Sequence, residues 1–128
     1  YWNFAPYCGF GPAGHSFYLP NKRAWNVSDI KTYIELIAQD KLPCEENEIL
    51  TAEQILMEMI YLGLRQNRGI DTAAFDKICA EGFANVCADA LDTLLKADMV
   101  ALDNGFCALT KSGRPFLDYV TQALVNNL

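Results

Sequence analysis

The sequence predicts a mainly α-helical fold of the α+β class, in which an extended glycine-rich segment precedes a winged-helix-like helical bundle with one β-hairpin. Apolar residues recur at helical spacing in several stretches beyond residue 28, which is typical of helices with one buried face. Asn104-Gly105 separates two short apolar runs near residues 99–109, and this dipeptide favours a hairpin turn. Residues 1–19 show no helical period and contain several glycines, so we expect an extended or looped segment there.

A glycine-rich loop occupies residues 7–16, with the sequence Tyr-Cys-Gly-Phe-Gly-Pro-Ala-Gly-His-Ser. Glycine permits positive φ and close backbone approach, whereas proline fixes φ, so this composition favours a constrained turn at the end of a strand. Aromatic residues flank the loop, which is typical of a pocket wall or of a contact surface for another domain. Residues 22–27 are expected to form a short strand or an ordered linker. We therefore divide the chain into an extended linking segment, 1–27, and a helical domain, 28–128.

The first helix is predicted to begin with Ser28 as its N-cap and Asp29 in its first turn, where a helix attracts negative charge. It should run to residue 38 or 39, and its apolar positions at helical spacing are Ile30, Tyr33, Ile34 and Ile37. Residues 41–50 contain Pro43 and three glutamates, so we expect a solvated surface loop there.

The second helix is predicted to begin at the capping box Thr51-Ala-Glu-Gln54, in which the two polar side chains can satisfy backbone amides reciprocally. Its apolar residues fall mostly on one broad stripe. We expect it to end near Asn67, with Gly69 in the left-handed conformation that follows many helices.

Three further residues are predicted N-caps of later helices. Asp71 would cap a short helix with Phe75 and Ile78 facing inward. Asn85 would cap the third helix of the bundle, and Thr110 would cap the last helix, which follows the hairpin.

Three helices, a hairpin and a closing helix follow one another as in winged-helix proteins, many of which bind DNA through the third helix. That helix, roughly residues 86–97, carries Asp89 and Asp92, with Lys96 as its cation. Because the chain also has a net charge of -6, it would repel phosphates, and we expect no nucleic acid partner. A winged-helix protein-interaction module and, as the weaker option, a DNA-binding regulator remain open as alternative functions.

Five cysteines occur at positions 8, 44, 79, 87 and 107, an odd number without any Cys-x-x-Cys pair. This spacing favours neither a disulfide framework nor a zinc site, and it predicts reduced thiols in a cytoplasmic protein. No apolar run approaches the roughly 20 residues that a membrane span requires, so we expect none. The chain starts at Tyr1 without an initiator methionine or a signal peptide, which leads us to expect a piece of a longer protein.

Several short motifs occur in a fixed order along almost the whole chain. They are Tyr1-Trp2-Asn3, Tyr7-x-Gly9-Phe10-Gly11-Pro12-x-x-His15-Ser16, Arg23-x-x-Asn26, Tyr33, Glu58-x-x-Tyr61-Leu62-Gly63-Leu64-Arg65, Gly69-Ile70-Asp71 and Leu109-Thr110-x-x-Gly113. This ordered set resembles the C-terminal part of the oxygen-independent coproporphyrinogen III oxidase family, which includes true oxidases and relatives that resemble heme chaperones. The glycine-rich loop and the Leu62–Arg65 sequence look closer to the chaperone-like branch. One departure is the order Ala13-Gly14, where the family usually has Gly-Ala, so the detailed geometry of the loop is left open.

The resemblance implies a longer parent protein in which a radical S-adenosylmethionine barrel precedes this chain. The family carries a [4Fe-4S] cluster on a Cys-x-x-x-Cys-x-x-Cys loop, and its oxidases use S-adenosylmethionine to convert propionate side chains of a porphyrinogen to vinyl groups. This chain lacks that cysteine triplet, so we expect it alone to hold no cofactor and to catalyse nothing. It would cover the barrel mouth, and its partners would be the barrel and a tetrapyrrole substrate or heme.

The resemblance also implies candidate site residues, which are Gly9, Gly11, His15 and Ser16 near the cofactor and Arg23 and Arg65 near the substrate. His15 is a candidate heme ligand, although we favour a structural role in which it holds the loop through backbone hydrogen bonds. Both arginines suit propionate groups, because guanidinium pairs well with carboxylates. For Arg65 a structural partner, such as Asp71 or Glu58, is the favoured alternative.

Overall fold

The computed structural model describes residues 5–128, which form two compact units, Ala5–Thr51 and Ala52–Leu128. The Tyr1-Trp2-Asn3 motif lies outside the described residues. The predicted fold class is confirmed, because helices and an antiparallel hairpin follow an extended, glycine-rich segment. The structure adds a second antiparallel sheet, which forms in the first unit.

The first unit contains this additional sheet and one helix. The strands of the sheet, in the order β1–β2–β3, are β1 (His15–Tyr18), β2 (Lys22–Asn26) and β3 (Cys44–Ile49). Helix α1 (Ile30–Ala38) connects β2 to β3. In the antiparallel register, His15 lies opposite Trp25 on one side of β2, and Lys22 lies opposite Ile49 on the other. Since β2 is paired on both sides, the strand interpretation of residues 22–27 is confirmed.

Two predictions for the first unit are wrong. The N-cap of α1 is Asp29 rather than Ser28, because the Asp29 carboxylate accepts hydrogen bonds from Thr32 N at 2.8 Å and from Thr32 Oγ1 at 2.7 Å. Residues 41–50 are not a simple loop, since most of them form β3. Glutamate and asparagine have low strand propensity, so backbone pairing with β2 decides the conformation of this segment.

The second unit has the winged-helix order of helices and strands. Its elements are α2 (Ala52–Gly63), β4 (Ile70–Asp71), α3 (Thr72–Asp76), α4 (Phe83–Val86), α5 (Ala88–Lys96), β5 (Val100–Asp103), β6 (Phe106–Leu109) and α6 (Leu117–Val125), with a 3₁₀ turn at Arg114–Phe116 before α6. The strand order of its sheet is β4–β6–β5. The predicted hairpin is confirmed, because Asn104 and Gly105 join β5 to β6 with φ angles of 49° and 78°.

A contiguous apolar core fills the second unit. Its fully or almost fully buried side chains include Ile60, Phe75, Phe83, Val120 and Leu124. The Phe75 and Phe83 rings meet edge to face, with their centroids 5.2 Å apart, which is a favourable aromatic geometry. Because these side chains come from α2, α3, α4 and α6, the core fixes four helices relative to one another.

Helix α2 ends at Gly63, and the predicted end near Asn67 is wrong. A Cβ at Gly63 would lie 2.8 Å from the Ile70 Cα, so β4 passes the end of the helix where a larger residue would collide with it. Gly69 has a φ angle of 93°, which confirms the predicted left-handed conformation before β4.

Asp71 is confirmed as the N-cap of α3, since its carboxylate accepts a hydrogen bond from Ala74 N at 3.0 Å. Phe75 is buried, as expected from the sequence. Ile78 is 39% exposed rather than inward-facing, because α3 already ends at Asp76.

The two remaining caps are wrong in detail. Asn85 lies inside α4, and the third long helix begins only at Ala88, because residues 83–86 form a short helix of their own. Thr110 caps an earlier turn, since its Oγ1 accepts a hydrogen bond from Gly113 N at 2.9 Å. Helix α6 begins later, at Leu117, after the proline-containing 3₁₀ turn.

Candidate functional site

The glycine-rich loop is attached at both ends to the sheet of the first unit. Tyr7 and Phe17 exchange two backbone hydrogen bonds, with N–O distances of 3.0 and 2.9 Å. Near the other end of the loop, Asn26 N donates to Gly14 O at 2.9 Å. The loop is therefore held against strands β1 and β2.

Three side chains hold the turn within the loop. Ser16 Oγ accepts a hydrogen bond from Gly9 N at 3.0 Å, and Tyr33 Oη accepts one from Gly11 N at 3.0 Å. The Asn26 amide donates to Gly9 O at 3.3 Å and to Gly11 O at 3.1 Å. The amides of both glycines therefore donate to side chains of the protein. Ser16 is buried, and its hydroxyl group stabilises the loop.

Gly9 and Gly11 are required for different reasons. A Cβ at Gly9 would lie 2.1 Å from His15 O, so this position must be glycine for the loop to approach β1. Gly11 has a φ angle of 86°, and no atom would lie within 4 Å of a Cβ placed there. Gly11 therefore permits the turn and leaves open space beside it.

His15 stands exposed at the start of β1, and its imidazole forms no hydrogen bond within the described part of the chain. Its ring centroid is 6.3 Å from that of Trp25, with the planes tilted by 30°. The favoured structural role of His15 is therefore wrong, because Ser16, Tyr33 and Asn26 hold the loop in its place.

Arg23 shares a sheet face with His15 and Trp25. Residues directly opposite in an antiparallel pair point to the same face, as do residues two apart on one strand. Arg23 Nη1 lies 3.4 Å from Glu48 Oε1 on β3, and both side chains are partly exposed. An ion pair of this partly exposed kind contributes little to stability.

Arg65 lies in the other unit and has a different environment. Its guanidinium donates to Tyr61 O and lies 5.9 Å from the centroid of the Tyr61 ring. Arg65 therefore has a structural partner, as expected, but that partner is Tyr61 rather than Asp71 or Glu58. Within the first unit, His15 and Arg23 thus lie on one sheet face.

Sequence reasoning missed three residues that the structure singles out. Asn26 and Tyr33 hold the glycine-rich loop, although only their presence in the motifs drew attention to them. Arg68 lies over the Phe106 ring, with its guanidinium carbon 4.3 Å from the ring centroid. No local pattern signals the last contact, because its partners are far apart in the sequence.

The cysteines provide no metal site. Within residues 5–128, no group of three His, Cys, Asp or Glu side chains is arranged to hold a metal ion, and all five cysteines are free. Burial raises the pKa of the Cys87 thiol to about 11 and that of the Cys107 thiol to about 12. Both thiols are therefore protonated at neutral pH, which makes them poor metal ligands.

The lysine of the third long helix is paired within that helix. On α5, Lys96 Nζ is 2.7 Å from Asp92 Oδ2.

None of the helices in the described residues combines the length and the apolar composition that crossing a bilayer requires.

Comparisons with known proteins agree with this architecture. The model of the HemN C-terminal domain family matches residues 50–116, more than half of the chain. The heme chaperone HemW of Bacillus subtilis (strain 168) is 27% identical over 128 residues, which are 100% of this chain and 34% of that protein. The heme chaperone HemW of Mycobacterium tuberculosis (strain ATCC 25618 / H37Rv) is 33% identical over 91 residues, which are 71% of this chain and 23% of that protein.

A solved structure has the same fold. It is the coproporphyrinogen III oxidase HemN from Escherichia coli, described as a radical SAM enzyme, with a TM-score of 0.62 and 19% sequence identity. The match covers 93% of this chain and 28% of that protein, so the chain spans about a third or less of its longer relatives. The resemblance drawn from the ordered motifs is confirmed, and the chain belongs to the HemN C-terminal domain family.

Proposed function

We propose that this chain is the non-catalytic C-terminal domain of a HemN-like radical SAM protein that handles heme. The observation that carries the proposal is the match of the whole chain to a heme chaperone, of which it spans 34%. The rest of such a protein would hold the radical SAM barrel, and residues 1–27 would link that barrel to the helical domain 28–128. The five free cysteines fit a reducing cytoplasm.

The first unit offers a surface on which the barrel would dock. Helix α1 has no buried residue, and its three isoleucines, Ile30, Ile34 and Ile37, are 64%, 60% and 48% exposed. These residues, the isoleucine stripe, recur at the spacing of one helix face. An apolar stripe of this kind is stabilised when another surface covers it. In our proposal the N-terminal part of the protein covers the stripe, and the chain covers the barrel mouth.

The residues of this chain do not fit an iron–sulfur cluster. The family's cluster needs three cysteines within one short loop, whereas the cysteines here are dispersed and two are buried as protonated thiols. A [4Fe-4S] cluster and S-adenosylmethionine would therefore be held by the barrel. The contribution of Gly9 and Gly11 would be a fixed loop with open space beside Gly11, because their amides are already bonded.

Heme fits the face that carries His15, Trp25 and Arg23. A neutral imidazole nitrogen is a common ligand of heme iron, and His15 is exposed and forms no hydrogen bond in the described part of the chain. The neighbouring Trp25 ring, whose plane is tilted by 30° from that of the imidazole, would contact the macrocycle through its edge. Arg23 would pair with a propionate in exchange for Glu48.

A second candidate function is the oxidation of coproporphyrinogen. The fold that the chain shares with the Escherichia coli oxidase favours it. In that case His15 would donate a hydrogen bond to a carboxylate rather than bind iron, and Arg23 and Arg65 would hold propionates. The family match makes a winged-helix interaction module and a DNA-binding regulator the weaker alternatives.

A heme titration tests the proposal. Hemin is added to the full-length protein that carries this chain, to its His15→Ala variant and to a Cys8→Ala control, and the Soret band is followed. The control removes the exposed thiol of the same loop, which is a second potential heme ligand. We expect a stoichiometric Soret shift for the parent protein and the control, and binding weaker by about tenfold or more for His15→Ala.

Two outcomes would contradict parts of the proposal. A Soret shift that His15→Ala leaves unchanged would keep heme handling but remove His15 from the iron. If no saturable shift occurs, heme handling is wrong, and an anaerobic assay with coproporphyrinogen then tests the second candidate.

A further inference from the structure

A cavity of about 230 Å³ lies within the second unit, where α2, α3 and β6 meet. Its apolar wall includes Met59, Leu62, Ala74, Ile78 and Phe106. Ile78 and Phe106 are partly exposed beside this cavity rather than covered by other side chains. None of the candidate site residues derived from the sequence lines it.

Arg68 supplies a positive charge at the edge of the cavity. Its guanidinium carbon lies 4.3 Å from the centroid of the Phe106 ring, close enough for a cation–π interaction that orients the side chain. In the described part of the chain, no carboxylate forms an ion pair with Arg68. Its hydrogen-bond donors are therefore available to a ligand that enters beside Phe106.

Two glycines line the cavity at its boundary with the sheet. A Cβ at Gly69 would lie 2.3 Å from Cys107 O, and a Cβ at Gly63 would lie 2.8 Å from the Ile70 Cα. Both glycines line the cavity, and Gly63 lies against the backbone of β4 while Gly69 lies against that of β6. Both positions therefore require glycine, because a Cβ at either one would collide with backbone.

The size and charge of the cavity limit what it can bind. Sites for drug-sized ligands measure about 300–1,000 Å³, so this smaller cavity accommodates one ring with a short side chain rather than a whole tetrapyrrole. Arg68 favours a carboxylate on that side chain. Asp71 also lines the cavity, and its negative charge disfavours a second carboxylate inside it.

We propose that this cavity binds a monocarboxylate carried on a single flat ring, with Arg68 on the carboxylate and the apolar wall around the ring. Two sources share this chemistry: a free aromatic acid, and one propionate-bearing pyrrole of a tetrapyrrole whose remainder stays outside. The second source rests on the proposed function, whereas the first does not.

Nuclear magnetic resonance of the ¹⁵N-labelled 128-residue chain tests the site, with 3-phenylpropionate as the probe. We expect saturable shifts of the amides of Ala74, Ile78 and Phe106. The Arg68→Gln variant should bind the probe about tenfold more weakly, because a charge-assisted pair is lost. Arg114→Gln is the matched control, since Arg114 contacts Asn67 outside this cavity and should leave the affinity unchanged.

The neutral amide of the probe separates charge recognition from nonspecific apolar contact. We expect the amide to bind the unsubstituted chain about tenfold more weakly than the acid, and to bind Arg68→Gln with the same low affinity. The proposal is overturned if the lining amides show no saturable shift up to about 10 mM probe, or if Arg68→Gln binds the acid as well as the control does.

Competition with coproporphyrin distinguishes the two sources. Displacement of bound 3-phenylpropionate assigns the cavity to a propionate-bearing pyrrole, and retention of the probe assigns it to a free aromatic acid. The heme titration reports on a face of the first unit, so a negative result there leaves the phenylpropionate experiment interpretable.

Discussion

Single residues fix the glycine-rich loop through contacts that exist only in the folded chain. Gly9 leaves room for the backbone of His15, and the hydroxyl of Tyr33 accepts the hydrogen bond of Gly11 N. Asn26 bonds the carbonyls of both glycines. Because these contacts come from β1, β2 and α1, the loop depends on the whole first unit.

Alanine substitutions at the two glycines should differ in their effect on stability. Gly9→Ala places a Cβ against the His15 backbone and should lower the free energy of unfolding by about 3 kcal/mol, as other severe clashes do. Gly11→Ala meets only backbone strain at its positive φ and should cost about 1 kcal/mol. Urea unfolding followed by tryptophan fluorescence measures both values. Equal losses for the two variants would contradict the close approach at Gly9.

The cysteines should differ sharply in reactivity. We expect N-ethylmaleimide near neutral pH to modify the exposed Cys8 and Cys44 rapidly. Cys87 and Cys107 should react at least about a hundredfold more slowly, because burial raises the pKa of both thiols and blocks access. Mass spectrometry of modified peptides measures the rates, and all five thiols should react alike in urea. Fast modification of Cys107 in the folded chain would show that the core is open.

The role that the sequence favours for His15 differs from the one in the structure. The sequence favours His15 as the residue that holds the loop through backbone hydrogen bonds, but in the described residues its imidazole forms none and its ring lies beside Trp25. The true holding residues, Asn26 and Tyr33, act from another strand and a helix. Such contacts depend on tertiary distance, which spacing along the chain does not encode.

At the scale of elements, signals contained within a few residues predicted the structure well. The Asn104-Gly105 turn and the Asp71 cap both depend on local geometry, and both are confirmed. Strand β3 and the end of α2 depend on distant partners, namely β2 and Ile70, and both were predicted incorrectly. Composition alone gave the wrong prediction for β3, because its polar residues are ordered by backbone pairing with β2.

The cap of α1 gives a prediction for pH dependence. Hydrogen bonds from Thr32 Oγ1 and Thr32 N hold the pKa of the Asp29 carboxyl below its ordinary value of 3.8. Because the folded-state pKa is the lower one, the stabilisation is complete above pH 3.8 and is lost as the pH falls through the folded-state value. A carboxyl titration by nuclear magnetic resonance measures this pKa.

Asp29→Asn is the control for that titration, since asparagine caps a helix but does not ionise. We expect the amide shifts of α1 in this variant to lose the acid-dependent change that Asp29 causes. A measured pKa of Asp29 at or above 3.8 would contradict the observed cap.

For the whole molecule, the winged-helix order does not by itself establish DNA binding. The third long helix carries Asp89 and Asp92, and its lysine is paired, so its surface does not suit a phosphate backbone. The ordered motifs predicted the family correctly because they extend over nearly the whole chain. The isoleucine stripe on α1 could be read from its spacing, but its exposure could not.

The most direct test of the central claim compares hydrogen exchange of α1 in two proteins, the 128-residue chain and the full-length protein that carries it. If the N-terminal part covers the isoleucine stripe, the peptide spanning residues 30–38 should exchange at least about tenfold more slowly in the full-length protein. The α5 peptide, residues 88–96, serves as an internal reference whose rate should not change. Equal exchange of α1 in both proteins would contradict the claim that this chain docks on a preceding domain through its first unit.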